Sequence, residues 1–253
     1  MPYANNDGVR IHYEVVGDGP PLVLQHGYSL RPSQWQHMGF VEPLIAGYRV
    51  ILIAARGHGK SDKLHDPDAY TDALMASDVV AVLDDLGIDK SHFCGFSMGG
   101  RIGLGVAGHY PNRLLSLVAG GSNPSFVPDP ADLAEEVALL SHGTDALLRS
   151  MEAGGWKLPD WFRESVLSND PEALIAYRKS RYVESWEPGL LANMTMPCLV
   201  FAGELDETHD GAKAAAEKMP NATFLTIPEQ GHIIPPELWL PILQDFLKTV
   251  PAQ

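Results

Sequence analysis

The chain has 253 residues, enough to bury one large core, and its 45% hydrophobic and 20% charged residues are typical of a globular protein. Its 18 basic residues face 32 acidic ones, a formal net charge of −14, which disfavours nucleic acid and anionic membranes as partners. No apolar stretch is long enough to span a membrane, and the first residues do not form a signal peptide. Because Cys94 and Cys198 also suit a reducing compartment, we expect a cytoplasmic protein. We expect it to be a monomer or a homodimer.

Strand-like and helix-like patterns alternate through the first half of the chain. Val9–Val16 alternates polar and apolar residues, which is typical of an antiparallel edge strand. Helical spacing of apolar residues, with Leu74 among them, predicts a helix over 70–86. The other predictions here are strands at 22–24, 49–55, 91–94 and 114–119, and helices at 33–46 and after residue 97.

Residues 122–194 interrupt this alternation. They contain no strand-like run, and prolines break up their helical patterns. Alternation resumes with strands at 197–202 and 223–227 and helices at 211–218 and 236–250. The sequence therefore predicts an α/β protein with a doubly wound, mostly parallel sheet. Residues 1–121 and 195–253 would form its core domain, and 122–194 a helical cap inserted into that core.

A Gly-x-Ser-x-Gly pattern lies at the predicted turn between the strand 91–94 and the next helix. Gly95 and Gly99 flank Ser97, and only glycine leaves room on either side of so sharp a bend. Such a turn lifts the serine hydroxyl clear of the sheet and directs the Met98 N–H toward whatever the hydroxyl attacks. A serine nucleophile also needs a base, an acid that orients the base, and donors for an oxyanion.

Candidates for the base and the acid follow the last two predicted strands. Loops after parallel strands open at the same edge of a sheet, so Asp206 and His232 are expected near Ser97. His209 is an alternative base, and Glu204 is an alternative acid that comes sooner after its strand; Asp210 is another. The chain order Ser, Asp, His favours Asp206 and His232. No short metal-ligand spacing is present, so we expect no metal and no cofactor.

These motifs together resemble the α/β-hydrolase fold superfamily, and more narrowly its small capped esterases, lactonases and C–C bond hydrolases. The resemblance covers nearly the whole chain and is weakest across 122–194. It rests on His26-Gly27-Tyr28, Arg56-Gly57-His58-Gly59-Lys60-Ser61, the Ser97 turn, Gly203-Glu204-Leu205-Asp206 and Gly231-His232. It implies that Ser97 is the nucleophile, His232 the general base and acid, and Asp206 the carboxylate that orients His232. It also implies an oxyanion hole made by the backbone N–H groups of Tyr28 and Met98.

Two regions leave questions open. The family usually has aspartate two residues before Arg56, and here the residue is Ala54, which puts the rigidity of the neighbouring loop in doubt. The predicted cap is expected to close a mostly apolar pocket with aromatic side chains. The predicted pocket residues are Tyr28, Phe126, Trp156, Trp161, Tyr182 and Trp186. Basic residues that could hold a substrate carboxylate are Arg149, Arg163, Arg178, Lys179 and Arg181.

The leading functional hypothesis is a serine hydrolase that cleaves a small, largely apolar carboxylic ester through an acyl-enzyme. Alternatives that use the same three residues are an enol-lactonase, a C–C bond hydrolase, and a perhydrolase or haloperoxidase side activity. A ligand receptor on a hydrolase scaffold is an alternative of another class, which a degraded triad would favour. In each case the expected partner is a small molecule, such as an ester or a lactone.

Overall fold

The computed structural model describes residues 2–127, 129–183, 186–187 and 189–250, without the side chains of residues 182 and 183. The strands are β1 Tyr3–Asn6, β2 Val9–Val16, β3 Pro21–Gln25, β4 Arg49–Ile53, β5 Ser91–Phe96, β6 Leu114–Gly120, β7 Cys198–Gly203 and β8 Ala222–Ile227. The helices are α1 Gln34–His37, α2 Val41–Leu44, α3 Asp72–Asp85, α4 Met98–His109, α5 Pro130–Ser141, α6 Thr144–Ala153, α7 Asp160–Leu167, α8 Pro171–Val183, α9 His209–Ala216 and α10 Pro236–Thr249.

All eight strands form one sheet in the order β1-β2-β4-β3-β5-β6-β7-β8. The first two strand pairs, β1 with β2 and β2 with β4, are antiparallel, and every other pair is parallel. Helices cover both faces, because α3 and α4 pack on one apolar cluster and α1, α2 and α10 on the other. The predicted doubly wound, mostly parallel sheet is confirmed.

The edge of the sheet differs from the expectation. Val9–Val16 is antiparallel as predicted, but its position at the edge is wrong because β1 lies outside it. Asp7 and Gly8 join the two strands with positive φ values of 49° and 92°, and Asn6 pairs directly with Val9. This is the two-residue hairpin turn that an Asp-Gly pair favours. The Asp-Gly pair was the sequence signal for the missed strand.

Two predicted helices also need correction. The predicted helix at 33–46 is two short helices, α1 and α2, separated at Gly39, whose φ is 76°. Leu74 was placed on the buried face of α3 but is 38% exposed, because it lies in the first turn and points away from the apolar cluster. The buried face of α3 is instead formed by Met75, Ala76, Val79, Val82 and Leu83.

The segment between β6 and β7 carries α5, α6, α7 and α8, here called the insertion helices. They occupy the part of the chain in which the sequence predicts a cap, and no strand lies among the described residues of 122–194. The division of the chain into a core domain and a cap stays a prediction. The carboxyl ends of β3, β5, β7 and β8 all open at one edge of the sheet, because these strands run parallel.

Candidate functional site

Ser97 lies in a strained turn between β5 and α4. Its φ and ψ are 56° and −121°, a conformation that a residue with a side chain adopts only at a cost of about 1–3 kcal/mol. Two hydrogen bonds hold the turn: Ser97 N–H donates to Gly120 O at 2.8 Å, and the Ser122 hydroxyl donates to Ser97 O at 2.5 Å. The backbone of Ser97 is therefore fixed by Gly120, at the end of β6, and by Ser122, two residues after it.

The glycines of the turn are required by close backbone contacts. A Cβ at Gly99 would lie 2.0 Å from Gln25 O, and one at Gly95 would lie 2.2 Å from Gly99 O. Both contacts are far shorter than van der Waals distance and involve backbone atoms, which cannot move aside without displacing β3 or α4. The two glycines thus allow the helix to start directly against the sheet.

We expect Gly99→Ala to lower the free energy of unfolding by about 3 kcal/mol or more, because the added methyl group forces β3 and α4 apart. Urea denaturation followed by circular dichroism measures this change. Gly47→Ala is the matched control, because nothing lies within 4 Å of a Cβ there. Equal stability of the two variants would contradict the prediction.

His232 and Asp206 lie in line with Ser97. His232 Nε2 is 2.9 Å from Ser97 Oγ, and His232 Nδ1 is 2.9 Å from Asp206 Oδ2. The Asp206 side chain is fully buried, and its other oxygen accepts the Thr208 N–H at 2.9 Å. Burial by itself would raise the pKa of Asp206, but the hydrogen bonds from His232 and Thr208 outweigh it and lower the pKa. A carboxylate in this position keeps the Nδ1 proton on the histidine, so Nε2 is free to accept a proton from the serine.

The alternatives for base and acid lie elsewhere. His209 begins α9, and its ring nitrogens contact Thr226 Oγ1 and Asp210 Oδ1, both at 2.9 Å. The Glu204 carboxylate instead accepts a hydrogen bond from the Glu229 N–H at 3.0 Å. Within the part of the chain that the structure describes, neither residue is hydrogen-bonded to Ser97 or His232. The geometry therefore favours His232 and Asp206 over the residues that compete with them in the sequence.

The loop after β3 places Gly27 and Tyr28 beside the Ser97 turn. A Cβ built at Gly27 would lie 3.7 Å from Ser97 Cβ, so the two turns are in contact. Gly27 O accepts hydrogen bonds from His26 Nδ1 at 2.8 Å and from Leu30 N–H at 3.2 Å. Because a trans peptide is planar, fixing this carbonyl also fixes the Tyr28 N–H, which points the opposite way. Within the described chain, no hydrogen bond from the Tyr28 or Met98 N–H is found.

Two buried histidines brace this loop in their neutral form. His26 Nε2 accepts the Ala55 N–H at 3.1 Å, and His58 Nε2 accepts the Ser29 N–H at 3.2 Å. Their Nδ1 atoms must then carry the proton, which His58 donates to Arg56 O at 3.1 Å. Burial lowers the pKa of His26 to about 4, and burial together with the nearby His26 lowers the pKa of His58 to about 3.

The 56–61 loop is held by hydrogen bonds that do not need a carboxylate at position 54, where the chain has Ala54. The Ser61 hydroxyl donates to Ala54 O at 2.7 Å and accepts the His12 N–H at 2.9 Å, so it bridges β4 and β2 where their direct pairing ends. The His58 N–H donates to Ala55 O at 2.9 Å within the loop. These bonds fix the loop without a side-chain carboxylate at position 54.

A cavity of about 180 Å³ opens beside Ser97 and His232. Tyr28 and Phe126 line it as predicted, but three arginines and a glutamate also do, so the expected apolar lining is wrong. Its lining residues are Tyr28, Ser97, Met98, Arg101, Gly121, Ser122, Asn123, Phe126, Tyr177, Arg178, Arg181, Glu207, Thr208 and His232. The core supplies Ser97 and His232, and the insertion helices supply Tyr177, Arg178 and Arg181.

Three of the predicted pocket aromatics lie away from this cavity. Trp156 lies just after Gly154 and Gly155, beyond the end of α6, and is 50% exposed. Trp161 stacks on His37 with ring centroids 5.6 Å apart, and Trp186 is buried beneath the Arg101 guanidinium. The prediction took these residues as pocket aromatics because they lie in the predicted cap, and the sequence alone does not show which surface each one contacts. The side chain of Tyr182 lies outside the described residues.

The arginines of the cavity are already paired with carboxylates. Arg101 makes two bonds to Asp72, at 2.6 and 2.8 Å, and Arg181 contacts the same carboxylate at 3.1 Å. Arg178 Nε lies 2.6 Å from Glu136 Oε2, and its guanidinium lies over the Tyr28 ring. Arg178 and Arg181 were among the cations expected to hold a carboxylate, whereas Arg101, four residues after Ser97, was missed. The position of Arg101 one helical turn after Ser97 is the signal that could have identified it.

The other cations of that group lie outside the cavity lining. Arg149 pairs with Asp145 on the exposed side of α6, and Arg163 pairs with Glu152. In the described part of the chain, no group of three histidine, cysteine or acidic side chains is arranged to hold a metal ion. None of the helices described is long and apolar enough to cross a bilayer.

The profile of the alpha/beta hydrolase fold family matches residues 20–186. The chain belongs to this family. A 2-hydroxy-6-oxononadienedioate/2-hydroxy-6-oxononatrienedioate hydrolase of Burkholderia vietnamiensis is 40% identical over 49% of this chain and 45% of the relative. The enol-lactonase of Burkholderia xenovorans LB400 matches 98% of this chain and 100% of its own, with a TM-score of 0.83 and 23% identity. A thermophilic esterase from Thermogutta terrifontis matches 98% of both chains, with a TM-score of 0.82 and 25% identity. These three similar proteins are a hydrolase, an enol-lactonase and an esterase, and this chain is an enzyme of the alpha/beta-hydrolase superfamily.

Proposed function

We propose that this enzyme is a serine hydrolase that cleaves a small carboxylic ester through an acyl-enzyme. The observation that carries the proposal is the chain of contacts from Ser97 through His232 to Asp206, with both heavy-atom distances at 2.9 Å. That distance is within reach for proton transfer between a nucleophile and its base. An intact chain of this kind disfavours the receptor alternative, which needs no nucleophile.

Acylation follows from this geometry. Ser97 Oγ attacks the ester carbonyl carbon while its proton passes to His232 Nε2, and Asp206 stabilises the resulting imidazolium. The carbonyl electrons move onto the oxygen, which accepts hydrogen bonds from the Tyr28 and Met98 N–H groups. As the C–O bond to the alcohol breaks, His232 returns the proton to the departing oxygen. The product of this half-reaction is an acyl-Ser97 ester and a free alcohol.

Deacylation repeats the same steps with water. His232 Nε2 takes a proton from a water molecule that attacks the acyl carbon, and the same two N–H groups hold the oxyanion. Collapse of the intermediate breaks the bond to Ser97 Oγ, which recovers its proton from His232. The acid is released, and the enzyme returns to its starting state.

A fluorophosphonate probe tests the proposal directly, because it phosphonylates a serine only where a base and oxyanion donors activate it. We expect one adduct per chain, on the tryptic peptide that contains Ser97, and loss of p-nitrophenyl acetate hydrolysis in step with labelling. Hydrolysis that continues after complete labelling, or an adduct on a different serine, would refute the assignment.

A second candidate is a lactonase or C–C bond hydrolase whose substrate carries a carboxylate. The arginines that line the cavity favour it, Arg178 above all, because it comes from the insertion helices, lines the same cavity of about 180 Å³ as Ser97, and pairs with Glu136 through Nε. The names of the Burkholderia vietnamiensis hydrolase and of the Burkholderia xenovorans enol-lactonase agree with this candidate.

We also propose that residues 122–194 act as a cap, because the insertion helices supply one wall of the cavity.

We expect Arg178→Met to lower the preference for an anionic ester. The measured quantity is the ratio of kcat/KM for monomethyl succinate to that for methyl butyrate, two esters of similar size. Loss of one charge-assisted hydrogen bond should reduce this ratio about tenfold. Arg149→Met, which removes an exposed cation from the same group of helices, is the control. An unchanged ratio in Arg178→Met would leave the neutral ester as the better candidate.

A further inference from the structure

The backbone beside the proposed oxyanion donor is in a strained conformation. Ser29 has φ of 59° in the turn that Leu30 N–H closes on Gly27 O at 3.2 Å. Such a turn requires positive φ at its third residue and strongly prefers glycine there. Serine at this position tends to relax by rotating the peptide bonds on either side of it. Rotation of the Ser29–Leu30 peptide would displace the Leu30 N–H, which donates to Gly27 O. Because Gly27 O and the Tyr28 N–H belong to the same planar peptide, loss of that bond would release the group that orients the Tyr28 N–H.

The strained residue is held on both sides. On the core side, Ser29 N–H donates to His58 Nε2 at 3.2 Å. On the other side, Asn169, in the link between α7 and α8, donates from Nδ2 to Ser29 O at 2.7 Å. Asn169 is only 7% exposed, and the same Nδ2 donates to Ser165 O at 2.8 Å. The core and the insertion helices therefore meet at one residue of this loop.

The orientation of the Asn169 amide follows from its partners. Three carbonyl oxygens lie near the nitrogen, those of Ser29 and Ser165 and, at 3.4 Å, that of Val166, so a rotated amide would set Oδ1 against all three. Both N–H hydrogens of Asn169 thus have partners, one in α7 at Ser165 O and one in the loop at Ser29 O. The Ser165 hydroxyl adds a longer contact of 3.4 Å to the same Ser29 oxygen.

We propose that Asn169 is a positioning residue that couples the insertion helices to the oxyanion hole by holding Ser29 in its strained turn. The inference rests on the proposed function, since it assigns Asn169 a role in orienting the Tyr28 N–H. Asn169 does not touch the reacting atoms. It transmits the position of α7 and α8 to the backbone that stabilises the transition state.

Other contacts between the loop and the insertion helices act on side chains. The Tyr28 hydroxyl donates to Leu174 O at 3.3 Å, and the Tyr28 and Tyr177 rings stack with centroids 5.3 Å apart. Arg31 pairs with Glu164 at 3.2 Å on the surface. These contacts hold the loop against the helices, whereas the Asn169 bond acts on the Ser29 peptide itself.

The first test is Asn169→Asp, which keeps the shape of the side chain but can place a carboxylate oxygen against the Ser29 and Ser165 carbonyls. We expect kcat for p-nitrophenyl acetate to fall about tenfold to a hundredfold, with KM changed little, because the oxyanion forms only in the transition state. Binding of 1,1,1-trifluoroacetone, which forms a tetrahedral adduct with the serine, should weaken in parallel, whereas binding of acetate should not. Glu164→Gln removes a contact between the same loop and α7 and is the control, with wild-type kcat expected.

The second test uses Asn169→Ala with and without Ser29→Gly. Glycine adopts positive φ without strain, so the double variant should recover part of the kcat lost by Asn169→Ala. A purely structural role of Asn169 would give no recovery, and that result would overturn the inference. Wild-type kcat in Asn169→Asp would overturn it as well, while Ser97-dependent hydrolysis in the same assay would leave the proposed function standing. Absence of Ser97-dependent hydrolysis in the wild-type enzyme would overturn both.

Discussion

Replacement of Ser97 by alanine is expected to lower kcat for p-nitrophenyl acetate by at least about 10⁴-fold, because Ser97, among the described hydroxyl groups that line the cavity, is the one in contact with a histidine base. The variant should also lose fluorophosphonate labelling. Its thermal unfolding temperature should stay close to that of the wild type, since the hydrogen bond of Ser97 Oγ within the described residues is to His232. Initial rates at saturating substrate and intact-protein mass spectrometry measure the two losses.

A matched serine separates loss of the nucleophile from general disturbance of the site. Ser125 lies in the same region, after β6, but it is exposed and does not line the cavity. Ser125→Ala should therefore keep both activity and labelling. Residual hydrolysis in Ser97→Ala within tenfold of the wild type would mean that the enzyme uses a different mechanism, such as direct attack by water activated by His232.

The sequence predicted the positions of the three central residues because each follows a recognisable strand. Ser97 lies in a glycine-flanked turn, and Asp206 and His232 follow β7 and β8, which pair in parallel. Parallel pairing brings the loops after these strands to one edge, whatever the intervening chain does. Local pattern and topology were therefore sufficient for this part of the site.

The cavity could not be predicted in the same way because its polar character depends on contacts distant in sequence. Arg101 and Arg181 share the Asp72 carboxylate, although 109 positions separate Asp72 from Arg181 in the chain. The bond between Asn169 and Ser29 spans 140 positions and joins two loops without a motif. The predicted aromatic lining rested on the aromatic residues of the predicted cap, and an aromatic side chain in the sequence does not indicate which surface it will contact.

The neutral His26 and His58, which brace the loop after β3, predict a steep loss of stability in mild acid. An unfolded histidine titrates near 6.5, whereas the pKa values of His26 and His58 are lowered to about 4 and about 3. Above about pH 6.5 both states are neutral, and the stabilisation is complete. As the pH falls below that value the unfolded chain binds protons that the folded chain does not, so stability falls until the folded pKa values are reached. Two such groups contribute a slope of about 2.7 kcal/mol per pH unit between about pH 6 and pH 5.

His58→Gln isolates one of these contributions. Glutamine can accept the Ser29 N–H through its amide oxygen but binds no proton in this range, so the slope should decrease by about 1.4 kcal/mol per pH unit. Urea denaturation at intervals between pH 7 and pH 5 measures the slope independently of any loss of stability at pH 7. His142→Gln, at an exposed position on the insertion helices, is the control. The same slope in His58→Gln and the wild type would mean that His58 already binds a proton in the folded state. In that case His58 Nε2 could not accept the Ser29 N–H, and Ser29 would be held by Asn169 alone.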